Sequence, residues 1–453
     1  MTATEHPNLA ALAERLGERV VLPGDERWDA ARRPWNLAVD QRPLAVAAPA
    51  DVPELQAVLA AARADGVRVA VQPSGHGASG SLEGAVLVRT AAFDTVEVDV
   101  DARVARIGAG VRWGQVLDAL DGKGLVAMTG SSPVVNATAF TLGGGHSWFA
   151  RAFGLASSSL RAVELLTADG RHRWLRDADE PELMWALRGA GGSFGVVTAI
   201  EVDLHPAPIL TGGRLVFSAS DAAAVFRAVV AAGRDAPETL ALHAGVLRVP
   251  DVEQAPPELR GTTMVSVEFV ELGASDEVAA LLDRVRAAGT VVADTTGAIG
   301  VAQLGAVADE PTDPAAEFGW SAFARLDDAV LERLFAAWES PEVQPIVALS
   351  MRVLGGALAA EPARPAIAGA VHEPHLVWGH ALGEPAGAER VARAYRALHA
   401  ALGTAASDRT FCTFLEPGQG YAAAYARTGV ARAAAVKATI DPEDRFLGNR
   451  DFV

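Results

Sequence analysis

Three glycine-rich stretches, each set beside a short apolar run, constrain this chain more than any other feature. The first is Val71-Gln72-Pro73-Ser74-Gly75-His76-Gly77-Ala78-Ser79-Gly80; the second runs from Gly130 to Gly145 and the third from Leu187 to Thr198. A backbone without Cβ atoms can approach an anionic ligand closely and turn several N–H groups toward it, and a diphosphate suits such a loop. The run Gly143-Gly144-Gly145 would weaken a helix or strand to no end unless a ligand or another backbone packs there. Three such loops in succession favour an extended ligand touched at several places, the shape of a dinucleotide. No Gly-Lys-Ser/Thr follows the first loop, so it is not a Walker loop. No Gly-x-Gly-x-x-Gly is followed by an acidic residue about 20 positions on, so a Rossmann nicotinamide site is not expected.

Around the loops the pattern is mixed helix and strand. LAVAAPADVPELQAVLAAARADGVRVAVQ reads as a strand, an Asp51-capped helix with Leu55, Val58, Leu59 and Ala62 on one face, and a second strand. TVEVDVDARVARIGAG and AVELLTADGRHRWL each read as a hairpin, the latter across an Asp169-Gly170 turn, so a purely parallel sheet is excluded. PELMWALRG reads as a short helix, and GSFGVVTAIEVDLHP as a strand stopping at Pro206, with a domain boundary between His205 and Ile209. Beyond it, GGRLVFSA, ALHAGVLRVP, GTTMVSVEFVEL, QPIVALSMRVL, PHLVWGHALG and RTFCTFLE read as strands separated by helices. That pattern predicts a helix-covered, largely antiparallel sheet. The expected fold is α+β: residues 1–206 a ligand-binding domain of two α+β subdomains, 207–420 a substrate domain, and 421–453 a segment returning to the first domain.

Charge and composition narrow the function. In 453 residues, 39 Lys and Arg against 56 Asp and Glu give a net charge of −17, which disfavours nucleic acid and anionic membranes as partners. Lys123 and Lys437 are the only lysines, so lysine-based covalent chemistry is nearly excluded. The single cysteine, Cys412, makes neither an internal disulfide nor a thiolate cage, and no metal site is expected. The charged, amphipathic start and the lack of an apolar run of about 18 residues point to a cytoplasmic chain without a membrane span. A monomer or homodimer is expected.

The segments PSGHGASG, GVRWGQVLDAL, GSSPVVNATAFTLGGG, FGLASSSLRAVELLTADG, LMWALRGAGGSFGVVTAIEVDLHP and VKATIDPEDRFLGNRDF occur in an order and spacing that resemble one family. This is the vanillyl-alcohol-oxidase superfamily with its PCMH-type FAD-binding domain, on the berberine-bridge-enzyme-like branch. The resemblance is strong over residues 30–206, weak in the middle and strong again in the last 30.

The resemblance implies FAD bonded through its 8α-methyl to the histidine of the first loop, here His76, although Gln72, Pro73 and Gly77 depart from the usual residues. A neutral imidazole can make such a bond. Some relatives carry a second link through a cysteine; Ser132 stands there, so a single attachment is expected. Val135 matches the small valine that admits oxygen. The cofactor set implied is Pro73, Ser74, Gly75, His76, Gly77, Ser131, Ser132, Val135, Thr138, Gly143, Gly144, Gly195, Val197 and Asn449. Asn136, Thr138 and Ala139 replace customary glycines, Phe140 and His146 are further departures, and Arg450 stands where glutamine is typical.

The implied reaction is hydride transfer from a small molecule to flavin N5 with reoxidation by O2 to H2O2, the cofactor carrying the hard step. Phe414 stands where relatives often hold a tyrosine base. The acid–base candidates are therefore Tyr421, Tyr425 and His380, followed by Glu416, Arg352, His372 and His375. Period two places His380 and Trp378 on one face of their strand and His375 on the other. A cyclisation without net oxidation, with the flavin as scaffold, is the alternative reading. The arginine-heavy, lysine-poor composition suggests a GC-rich bacterial gene, where such enzymes frequently tailor secondary metabolites.

Overall fold

The helix that follows the first strand shows how local chemistry sets the architecture. Asp51 caps helix Val52–Ala64 by accepting the amide of Glu54 at 2.9 Å, Pro53 occupies its first turn, and Leu55, Val58, Leu59 and Ala62 are its buried face. Such a helix returns the chain to the same end of the sheet, so the strands it joins run parallel. In the computed structural model, which describes residues 6–251, 257, 259–383 and 385–452, these strands belong to a five-stranded sheet. Its order is Val20–Val21, Ala45–Ala47, Ala85–Val88, Arg68–Val71, Phe446–Leu447, parallel except for the first pair. The last strand comes from the C-terminal tail. Residues 1–5 and Val453, the outer ends of the expected first domain and tail, lie outside the described residues.

A second, antiparallel sheet of five strands contains both expected hairpins, Val96–Asp99 with Val104–Gly108 and Leu160–Leu166 with His172–Arg176, joined through Val196–Asp203. Gly170, at φ +85°, makes the turn of the second hairpin.

From Leu210 onward the chain builds one antiparallel eight-stranded sheet. Along its main path the order is Val291–Asp294, Leu210–Phe217, Thr263–Leu272, Leu240–Arg248, Ala348–Val353, His375–Leu382, Glu317–Ala324. One face, with Leu215, Val267, Leu242, Met351 and Val377, packs under helices Ala222–Asp235, Asp276–Arg286, Asp328–Glu339 and Ala388–Leu402. Register fixes the other face. Glu268 lies directly opposite His243, His243 opposite Arg352, Trp378 opposite Ser350, and His380 opposite Gly319. Because side chains alternate across a strand, an apolar helix-covered face leaves a polar one turned toward the glycine loops.

One expected element is different. RTFCTFLE is not a strand but an irregular segment with a 3₁₀ turn at Cys412–Phe414. Phe411 and Leu415 are buried on it, and the amide of Phe414 bonds the carbonyl of Phe411 at 2.9 Å. The segment passes over the polar face of the large sheet toward the tail, so its period-two apolar pattern reflects burial between two layers rather than pairing with a neighbour.

Candidate functional site

The three glycine loops and the polar face of the large sheet enclose one cavity of about 420 Å³. Pro73, Ser74, Gly75, His76, Gly77, Ser131, Ser132, Val135, Thr138, Gly143, Gly195, Val197 and Asn449 line it from the loop side and the tail. From the sheet and the 3₁₀ segment come Arg352, Trp378, His380, Phe414 and Glu416, and Tyr421 lies at the same wall.

The first loop is held from beneath. Gly75 has φ +88°, and a Cβ there would stand 2.7 Å from Pro34 Cβ and 2.8 Å from Gln72 Oε1, so only glycine fits. Arg89 donates to the Gln72 side chain at 2.8 Å and to the carbonyls of Gln72, Ala31 and Arg33; burial brings its guanidinium down to about 10. His76 stacks on Trp35 with ring centroids 4.2 Å apart, and its Nδ1 lies 3.0 Å from Ser74 Oγ. Its Nε2 is buried without a partner. Burial, helped by Arg112, lowers its pKa to about 4, so the ring is neutral at pH 7.

The second loop explains its departures from glycine. Asn136 caps helix Ala137–Leu142 by accepting the amide of Ala139 at 2.8 Å, and its Nδ2 donates to the carbonyls of Ala109 and Val111. Phe140 meets Trp113 edge to face at 5.7 Å, and Gly145, at φ +67°, leaves room for its ring. The substitutions thus exchange backbone freedom for a capped helix beneath the cavity.

The tail closes the loop side. Asn449 Nδ2 donates to the carbonyl of Gly77 at 2.8 Å, and Arg450 donates to the carbonyls of Gly77 at 3.1 Å and Glu416 at 2.6 Å. Arg450 in place of a glutamine therefore ties the first loop to the segment carrying Glu416.

Among the acid–base candidates, Glu416 has the most suitable surroundings. Its Oε2 accepts the Gly319 amide at 3.0 Å, and burial pushes its carboxyl above the usual range. His380 also lines the cavity, with Nε2 3.4 Å from Glu317. Tyr421 is 3% exposed, its hydroxyl 3.3 Å from Ser193 Oγ and from the Ala190 carbonyl, and burial raises it far above the usual phenol range. Its hydroxyl is thus engaged at the cavity wall.

Two expected residues lie elsewhere. Gly144 and Tyr425 line a separate cavity of about 180 Å³, and the Tyr425 hydroxyl donates to the carbonyl of Gly189 at 2.8 Å. Tyr425 follows one helical step after Tyr421 but points behind the glycines. His372 and His375 do not reach the main cavity; His375 accepts the Leu326 amide on Nδ1 at 3.2 Å. Glu310, Glu317, Asn36 and His146, which the sequence did not mark as site residues, do line it. Strand pairing brings Glu317 there, and no sequence motif announces it.

The residues present suit an FAD. An unpartnered neutral imidazole nitrogen, glycines that a Cβ would jam, and loop backbone on several sides match a long dinucleotide with a reactive ring. Residues 43–176 match the family described as FAD binding domain. (R)-6-hydroxynicotine oxidase of Paenarthrobacter nicotinovorans is 32% identical over 191 residues, 42% of this chain and 42% of that protein. These likenesses support the resemblance to the vanillyl-alcohol-oxidase superfamily and its berberine-bridge-enzyme-like branch.

Xylooligosaccharide oxidase of Thermothelomyces thermophilus is 28% identical over 214 residues, 46% of this chain and 43% of that protein. The chain thus spans less than half the length of either relative. In fold it is similar to 6-hydroxy-D-nicotine oxidase from Arthrobacter nicotinovorans, with TM-score 0.80, 23% identity and coverage of 96% and 97% of the two chains. It is equally similar to Physcomitrella patens BBE-like 1, at TM-score 0.80, 18% identity and coverage of 98% and 99%. The family match falls on residues 43–176, while the shared fold covers nearly the whole chain, the large sheet included. Among the described residues no helix is long and apolar enough to cross a membrane.

Proposed function

We propose that the protein is an FAD-dependent oxidase acting on a small organic molecule, with the cofactor bonded once, to His76. The observation that carries this reading is the single cavity running from the neutral, unpartnered Nε2 of His76 to the raised carboxyl of Glu416. Held among the three glycine loops and Asn449, a bound flavin would supply a hydride acceptor for a substrate carbon and a route for the electrons to O2, with H2O2 as product. Ser74 Oγ, 3.0 Å from Nδ1, holds the His76 ring, and in the tautomer that carries its proton on Nδ1 the Nε2 lone pair is left for the bond to the cofactor. The small side chain of Val135 on the cavity wall leaves space for oxygen.

Glu416 takes the proton from the substrate O–H or N–H next to the reacting carbon. Its carboxylate is positioned by the Gly319 amide, and Arg450 holds its backbone. A base whose pKa is raised toward working pH accepts a proton effectively while remaining largely ionised. His380, beside Glu317, is placed to orient the same substrate group. With a carboxylate on the segment that lacks the tyrosine, the missing hydroxyl at Phe414 no longer favours a cyclisation without oxidation.

The test is the visible spectrum of the purified protein before and after acid precipitation. Yellow colour held in the pellet, and released from His76→Ala, is the expected result. Release from the wild type removes the covalent bond from the reading, and a colourless protein overturns the oxidase itself.

A further inference from the structure

Arg352 is the most unusual charge in the cavity. It sits on strand Ala348–Val353, directly opposite His243, is 8% exposed, and lines the cavity. Its Nη1 donates to Nδ1 of His146 at 3.2 Å, and its Nη2 lies 3.4 Å from Ser131 Oγ. Both bonding partners are uncharged. Burial, reinforced by Arg352 itself, holds the imidazoles of His146 and His243 well below their usual range.

Among the described residues no carboxylate forms an ion pair with this guanidinium. The nearby acids are engaged elsewhere: Glu317 with His380 at 3.4 Å, Glu416 with the Gly319 amide, and Glu268 with Ser266 Oγ at 2.7 Å. Glu310 and Glu268 exert only a longer-range attraction on Arg352. A buried charge without a counter-ion is costly to desolvate, and few sites carry one without use. The guanidinium carbon lies 6.0 Å from the ring of Trp378 and 5.1 Å from that of Phe414, and these two rings meet edge to face.

We propose that the substrate carries a carboxylate that docks on Arg352, with a flat apolar body lying against Trp378 and Phe414. This deepens the oxidase reading and rests on it. A guanidinium presents a planar fork that matches the two oxygens of a carboxylate, and an aromatic wall suits a flat carbon skeleton. Arg352 projects from the large sheet beside Trp378 and Phe414 and meets the loop side only through side chains at the two ends of the second loop, Ser131 and His146, so the anion it awaits is assigned to the substrate rather than to the cofactor diphosphate. Its bonds to His146 and Ser131 fix the fork before the ligand arrives, which lowers the ordering cost of binding.

The test is equilibrium binding to the purified protein as it folds with its cofactor. Benzoate and naphthoate are titrated against their neutral counterparts benzamide and naphthamide, read by the visible spectrum of the bound flavin and by calorimetry. At least tenfold tighter binding of the carboxylates is expected. In Arg352→Gln that preference should collapse while the flavin-to-protein ratio stays unchanged, and Arg352→Lys should retain part of it. Equal binding of acid and amide by the wild type, no binding of either acid, or an undiminished preference in Arg352→Gln overturns the proposal. The wild-type comparison decides even if Arg352→Gln fails to fold. A colourless protein that still prefers carboxylates by calorimetry would sink the oxidase reading and leave the anion site standing, so the two failures are distinguishable.

Discussion

Asn449 in the C-terminal tail donates its side-chain amide to the carbonyl of Gly77, 372 positions earlier, at 2.8 Å, and accepts the amide of Ser79 on its Oδ1 at 3.1 Å. The neighbouring Arg450, 7% exposed, reaches the same carbonyl and continues to the backbone of Leu415 and Glu416. One dipeptide thus couples the histidine loop to the segment bearing the proposed base.

The two residues should differ in weight. Asn449→Ala removes bonds that water can replace and is expected to cost about 1 kcal/mol, whereas Arg450→Ala strands buried carbonyls and is expected to cost about 3 kcal/mol. Urea denaturation compares them, and flavin content should fall further in Arg450→Ala. Equal costs would contradict the coupling.

Gly75→Ala places a Cβ 2.7 Å from Pro34 Cβ at φ +88°. The left-handed backbone alone costs about 1–2 kcal/mol, and Gln72 must also move. The expected result is a folded protein with reduced flavin-to-protein absorbance, because the strain falls on the loop next to His76. Full flavin content would show that this turn does not shape the cofactor site.

Glu416→Gln should lower kcat by about 10²–10⁴-fold with little loss of flavin. The carboxylate is the active form, so wild-type kcat/KM should decline as pH falls through the raised pKa of Glu416, above the ordinary carboxylate range. That acid limb should vanish in the variant. Persistence of the limb would assign the proton to another group, His380 being next in line.

Stability should also depend on pH through buried histidines away from the chemistry. Burial lowers His375 from 6.5 to about 4 in the folded protein. Below about 6.5 the unfolded chain takes up a proton that the folded protein refuses, so stability falls from there down to about pH 4, at up to about 1.4 kcal/mol per pH step for each such group. His375→Asn keeps an acceptor for the Leu326 amide but cannot titrate. Its melting temperature should therefore drop less steeply over that window, and an unchanged slope would remove His375 from the account.

Contiguous residues were enough to lay out the glycine-loop half of this protein. Its glycines, its capped helix at Asp51 and its two hairpins are local signals, each written in contiguous residues and set by φ, capping and turn chemistry, so loop order and His76 were legible before any fold was known. The large-sheet half was not. Arg352, His243 and Glu268 share a face only because strands distant in sequence pair in one register, and Glu416 reaches the cavity only because a segment that reads as a strand becomes a turn across that face. Tyr421 and Tyr425 show the same division. The sequence offered both as acid–base candidates on equal terms, but burial against Ser193 and Gly189 decided that one forms a wall of the main cavity and the other lies behind it. Period and propensity are properties of neighbours along the chain, whereas which polar groups lose their water together is decided only when the sheets pack.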